Sequence, residues 1–415
     1  MTRTVVLLLI VGCSTHPSLT PPPADAATDA EVPPSPPVEL GRHRVDIVTT
    51  RQVIPAGGLP SESKPQNSNN NLDVVRHQGR VYLAWRTGPD HYASPDASIY
   101  VVSSLDEQTW TYEAKFSLGA DLREPRLLSI GDSLFLHVAR LGTNPYAFEP
   151  MGISVAERRQ DGTWTELAET YEPGFIAWRT KSERGKSYML GYFGGEHIYD
   201  FSIKPLEVVL LTTEDGRAWK PVGASRTLLQ GGGSETDFAV GDDGTWFGVS
   251  RNEAGDQTGF GSHVCRGSAS SPSEWKCNHD PRKYDSPLMF WHDGEVYLLA
   301  RRNVTTSGNY DLGPGPHETP YTLTAQSLRN QLDYKMHPKR CSLWRYVQSD
   351  DRIAFVTDLP SRGDTCFPGL ISGKRADEFV VYNYSNDPAG EDLSWGQGQV
   401  AATNIYRHEL RFTRR

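Results

Sequence analysis

Seven residues after each of six repeated turns, the chain places Arg86, Val138, Tyr192, Arg251, Arg301 and Tyr384. Three arginines and two tyrosines in register do not make a filled apolar core. Arginine presents a planar fork that pairs bidentately with a carboxylate or phosphate. Several such forks around one opening form a cationic, aromatic-lined pocket for an anionic ligand. The same register also fits a ring of structural salt bridges and tyrosine hydrogen bonds. Short segments that begin the repeats add Asn70, Asn71, Asp121, Arg123, Glu124, Glu235, Asp237, Asp285 and Asp364. Several of these are carboxyl groups, and a carboxylate beside a nucleophile can activate it as a general base. Arg86, Arg123, Arg251, Arg301, Asp285 and Tyr192 are the candidate ligand contacts. A polar loop at 86–96 holds Asp90 and Asp96, and His91 adjoins Asp90.

These residues need a scaffold that brings six distant segments together, and the repeat supplies it. Trp110, Trp164, Trp219 and Trp275 are spaced by 54, 55 and 56 residues. Each ends a related phrase, fullest at Ser104-Leu105-Asp106-Glu107-Gln108-Thr109-Trp110 and most degraded at Ser271-Pro272-Ser273-Glu274-Trp275. In phase with them, a turn residue followed by an apolar strand recurs at Gly79, Gly131, Gly185, Gly244, Gly294 and Asp377. The first five copies are 50 to 59 residues apart and the last gap is 83, which places an insertion of about 30 residues within 302–345. Each unit reads as short β-branched and aromatic runs between Gly/Asp turns, with no long helical pattern. Four-stranded units repeating at this length are propeller blades, each burying its faces against its neighbours. The expected fold is an all-β, six-bladed propeller over 43–415. A strand at 45–54 is expected to close the ring beside one at 405–413.

The Ser-x-Asp-x-x-x-Trp phrases resemble the Asp-boxes of sialidases, which cap the third and fourth strands of their blades. Residues 73–110, 120–128 and 359–370 resemble a group of six-bladed proteins of the sialidase superfamily. The likeness implies a carbohydrate-active protein, a glycoside hydrolase acting on an acidic sugar, with a non-catalytic glycan-binding propeller as the alternative. It implies that Glu235 is the base, that Arg251 and Arg301 clamp a carboxylate, and that the acid lies in the 86–96 loop, at Asp90 or Asp96. The sequence departs from the sialidase pattern at two places. Residues 69–73 read Asn-Asn-Asn-Leu-Asp where sialidases carry an arginine, and Phe367 falls where they carry a nucleophilic tyrosine. Tyr384, or Tyr382, is the phenol left to take that role.

The 415-residue chain carries a formal net charge of -9 and no Lys/Arg block, which excludes a nucleic-acid partner. Arg3 and the apolar run from Val5 to Val11 read as a signal peptide, too short to span a bilayer. Ile10-Val11-Gly12-Cys13 resembles a bacterial lipobox. It implies cleavage after residue 12, lipidation of Cys13 and an exported protein held at the outer membrane, periplasm or cell surface. Residues 13–42 are rich in proline and read as an extended tether. Cys265, Cys277, Cys341 and Cys366 form an even set suited to two disulfides, expected between sequence neighbours. No Cys-x-x-Cys or ligand-spaced histidine pair is present, so neither a metal site nor a cofactor is expected. A closed propeller needs no partner to cover its edges, which points to a monomer.

Overall fold

The computed structural model describes residues 33–199, 204–313 and 323–415. The signal segment, Cys13 and the first part of the proline-rich stretch lie outside them. Six antiparallel sheets are arranged as the blades of a propeller. Blade 1 comprises Ser68–His77, Arg80–Gly88, Ser98–Ser104 and Thr111–Phe116. Blades 2 to 5 occupy 121–170, 176–231, 233–280 and 285–358 in the same order of strands. Blade 6 takes Gly369–Ser372, Glu378–Ser385 and Asn404–Arg414, and its outer strand is His43–Ile54. That outer strand pairs antiparallel with Asn404–Arg414, from His43 opposite Arg414 to Ile54 opposite Ile405. The ring is thus closed by the two ends of the folded chain, as the sequence leads one to expect.

The first hairpins of blades 1, 3 and 5 show why the chain turns where it does. Gln78 and Gly79 have φ of 46° and 77°, Arg184 and Gly185 51° and 74°, and Asp293 and Gly294 43° and 83°. Two successive positive φ values define a type I′ turn, whose twist matches that of the flanking strands. The third-to-fourth strand turns use the aspartates of the repeated phrase. Asp106 Oδ1 accepts from the amides of Gln108 and Thr109, each at 2.8 Å. Asp215 Oδ1 does the same for Arg217 and Ala218. The tryptophans that follow pack on the preceding blade: Trp110 on Tyr382, Trp164 on Phe116 and Trp219 on His137.

The apolar cores lie between blades. Tyr82, Ile99 and Val101 of blade 1 pack with Leu122, Leu127 and Leu136 of blade 2. Leu299 and Leu343 of blade 5 pack with Val381, Leu410 and Phe412 of blade 6. Both disulfides join the expected neighbours. Cys265 and Cys277 face each other across the third and fourth strands of blade 4, and Cys341 of blade 5 is bonded to Cys366 at the start of blade 6.

One expectation fails. The insertion in blade 5 contains a 14-residue helix, Leu323–Met336, where the sequence shows no helical pattern. Its buried residues are Ser327, Asn330 and Tyr334, while Leu328 and Leu332 are exposed. The inward face is polar, so the hydrophobic period that announces a helix is absent. The end of the proline-rich stretch is also held: residues 33–42 have no regular structure, but Glu39 pairs with Arg352 at 2.6 Å and the Arg42 amide donates to Glu295.

Candidate functional site

In every blade the second strand ends beside the start of the innermost strand, and the chain then crosses to the third strand at that same end. Six such ends make one mouth, opposite the type I′ hairpins. The innermost strands are bulged there. Register slips between Asn70 and Leu72, Arg123 and Arg126, Gly233 and Thr236, and Asp285 and Leu288. Asn71, Glu124 and Ser286 sit in these slips with φ of 40°, 52° and 55°. A bulge re-aims the side chains around it. Here Asn71 Nδ2 donates to Glu124 Oε1 at 2.8 Å, linking blades 1 and 2.

The second-strand residues Arg86, Val138, Tyr192, Arg251, Arg301 and Tyr384 are all buried at this level. Arg251 Nη1 lies 2.7 Å from Glu235 Oε1 and 3.0 Å from Glu253 Oε2, and its Nε donates to Ser234. The second Glu235 oxygen accepts from the Ser286 amide at 2.7 Å. Lys283 reaches Glu253 at 2.8 Å and Asp285 at 3.5 Å. Arg301 donates to Asp285 at 3.1 Å, to the Thr365 carbonyl at 2.5 Å and to the Tyr384 hydroxyl at 3.2 Å. Tyr384 donates in turn to Asp364 at 2.9 Å. On the other side, Arg86 and Arg123 share Asp121 at 2.9 and 2.5 Å. Helix Leu323–Met336 contributes Tyr334, whose hydroxyl donates to Asp285 at 2.7 Å.

Burial and neighbouring charge separate the carboxyl groups. Glu235 is driven up to about 7, by burial first and by the negative charges of Asp285 and Glu124, against the pull of Arg251. Burial likewise raises Glu124, outweighing Arg126 and Arg123. Asp285 is held low although buried, because Lys283, Arg301 and Arg251 surround it. The Tyr384 phenol is pushed well above its ordinary range by burial and by Asp364. The side chains of His91, Glu124, Arg123 and Glu235 keep 17%, 12%, 11% and 10% of their surface exposed.

The network unites Glu235, Arg251, Asp285, Arg301 and Tyr384, with Arg86 and Arg123 in a second group. Tyr192 lies within electrostatic reach of Arg251, Glu235 and Glu124. Neither loop aspartate bonds to this network through its carboxyl, although Asp90 lies within electrostatic reach of Arg86. Asp90 Oδ1 accepts the Tyr92 amide at 2.8 Å and serves the turn of its own loop. Asp96 is exposed at the loop's exit. Between them, His91 Nδ1 lies 2.7 Å from Asp364 Oδ2. Phe367 is buried against the Arg126 guanidinium and Trp178, below the mouth. The sequence pattern placed Glu124 and Asp364 with the entry-strand acids but did not point to Glu253 or Lys283. Glu124 carried a signal, since it occupies the bulge of blade 2 as Asn71 does in blade 1. Among the described residues no group of three or more His, Cys, Asp or Glu side chains is arranged to hold a metal ion.

No protein-family model matches the chain, and no curated protein sequence matches it. Solved structures do. Trypanosoma rangeli sialidase in complex with the inhibitor DANA superposes with a TM-score of 0.51 at 13% identity, over 83% of this chain and 55% of that one. The fold is a sialidase-type propeller. A mutant of the same sialidase that displays trans-sialidase activity gives 0.50 at 14% identity, over 83% of this chain and 54% of the other. The chain therefore matches only about half the length of those sialidases. An α-L-arabinofuranosidase from Fusarium graminearum with an iminosugar inhibitor gives 0.49 at 12%, over 82% and 92%.

Proposed function

We propose that this protein is a glycoside hydrolase whose active site is the propeller mouth, with Glu235 as the base. The observation that carries the reading is Glu235 itself. It is a buried carboxyl raised to about 7, bonded to Arg251, with its tip at the opening and a second raised carboxyl, Glu124, within electrostatic reach. Enzymes tune acid–base groups toward the working pH by burial and neighbouring charge, and perturbed groups cluster at functional sites. The fold shared with a sialidase whose structures include a complex with sialic acid supports a carbohydrate substrate.

How the arginines are used bears on the choice of sugar. Arg251, Arg301 and Arg86 point their guanidinium groups at carboxylates and carbonyls of the protein. A substrate carboxylate would have to displace Glu235, Asp285 or Asp121 from them. The mouth therefore favours a sugar without a carboxylate over an acidic one, contrary to what the arginine pattern implies by itself. The same pairing favours a second reading, a glycan-binding propeller without turnover. Cys13 lipidation and surface anchoring are part of the proposal, and the two disulfides are in keeping with an exported protein.

A hydrolysis screen of residues 33–415 on 4-methylumbelliferyl sialosides, uronides and neutral glycosides tests the proposal. Release from a neutral glycoside is expected, with kcat lowered about 10²-fold or more in Glu235→Gln. Activity unchanged by Glu235→Gln removes Glu235 from the chemistry. Binding on a glycan array without turnover of any glycoside favours the second reading.

A further inference from the structure

On the foregoing reading of the mouth as a glycosidase site, we infer that His91 is the proton donor to the leaving group, positioned by Asp364. Three blades fix His91. Its amide donates to the Gln399 carbonyl of the blade 6 loop at 3.0 Å, and its carbonyl accepts from Arg123 Nη2 of blade 2 at 3.0 Å. Arg86 staples the loop on either side, bonding the carbonyls of Asp90 and Tyr92. The Trp395 ring lies edge-on to the imidazole at 6.5 Å. A loop residue tied down from three sides is built to hold one side chain in one place.

The chemistry of the ring follows from Asp364. Burial by itself would raise this carboxyl; His91, Arg301 and Tyr384 outweigh burial and hold it below its ordinary range. Its Oδ1 accepts from Tyr384 and from Trp395 Nε1, at 2.9 and 3.0 Å. An ionised carboxylate only accepts, so the 2.7 Å contact requires a proton on His91 Nδ1. Nε2 has no hydrogen-bond partner among the described residues, and the side chain is 17% exposed at the mouth. The charged groups facing the ring are Asp364 and Glu124, with Arg123 bound to the His91 carbonyl. In the step assigned here, imidazolium Nε2 gives its proton to the glycosidic oxygen as the bond to the anomeric carbon breaks. The electron pair leaves on that oxygen. Water attacks the anomeric carbon and loses its proton to the Glu235 carboxylate. Asp364 touches no reacting atom and is a positioning residue.

The test compares two glycosides of whichever sugar the wild type cleaves: the 4-methylumbelliferyl compound and the 2,4-dinitrophenyl compound, whose leaving group departs without a proton. His91→Gln is expected to lower kcat/KM about 10²- to 10⁴-fold on the former and less than about tenfold on the latter. Asp364→Asn is expected to lower kcat/KM about tenfold or more on the former and to leave the latter nearly unchanged, since the amide no longer fixes the Nδ1 proton and the ring. If His91→Gln slows both substrates alike, or neither, while Glu235→Gln is inactive, the donor is not His91 and the glycosidase reading stands. If the wild type cleaves no glycoside, both fall together. Asp364→Asn provides the second variant should His91→Gln fail to fold, which thermal unfolding reports; equal slowing of the two substrates, or of neither, then overturns the assignment.

Discussion

Glu235 binds its proton more tightly in the folded chain than in the unfolded one. Its ordinary value of 4.5 is raised to about 7, mainly by burial. Between those two values the folded state carries more protons, so this group's contribution to stability is fully present below about 4.5 and is lost as pH rises through about 7. The loss is on the order of 3 kcal/mol. Glu235→Gln cannot ionise, so its melting temperature relative to wild type should climb across that window and level off above it. A difference independent of pH would mean that Glu235 is ionised throughout. Arg251 has the opposite character. Arg251→Ala would leave Glu235 and Glu253 as buried carboxylates without their shared cation, costing about 3–5 kcal/mol, read from urea midpoints. The sequence made Arg251 and Arg301 legible because each recurs at a fixed step from a turn, and Glu235 through its resemblance to the sialidase pattern. It did not reveal the bond between His91 and Asp364, which lie at opposite ends of the chain and meet only once the ring closes. No local spacing encodes that contact.

At the scale of the elements, strands and turns were open to reading and the helix was not. The type I′ hairpins and aspartate turns are written in residues whose backbone demands are specific, such as Gly79 with φ of 77°. Asp106 caps two backbone amides and Ser104, whereas Asp161 caps one amide, that of Thr163, and its hydroxyl. Asp106→Ala should therefore lower the melting temperature more than Asp161→Ala in a calorimetric comparison. Helix Leu323–Met336 is anchored instead by polar contacts. Tyr334 donates to Asp285 and stacks beneath Lys283 and Lys339, whose ammonium groups lie 3.7 and 3.9 Å from the ring centre. Tyr334→Phe keeps the ring and deletes one bond to a buried carboxylate, a loss of about 1.5–3 kcal/mol. If the helix merely rests on the mouth, urea midpoints of wild type and variant will coincide.

Across the whole molecule, the ring depends on one strand from the far end of the chain. His43–Ile54 covers Asn404–Arg414, where Leu410 and Phe412 are buried. Removing residues 33–54 would bare a long strand edge and that apolar surface, and exposed edges pair with one another. The truncated protein should elute from a sizing column as concentration-dependent aggregates, while loss of residues 33–38 alone should leave a monodisperse peak. Six-fold architecture was visible from the tryptophan spacing. The mutual neutralisation of the mouth's charges was not, because composition counts arginines without saying what they face. The closing strand also decides how the molecule is presented. His43 meets Arg414 at the hairpin end of blade 6, and Ile54 meets Ile405 at the mouth. If Cys13 is lipidated as proposed, the tether joins the propeller at its back, and the mouth is then free to face away from the mooring.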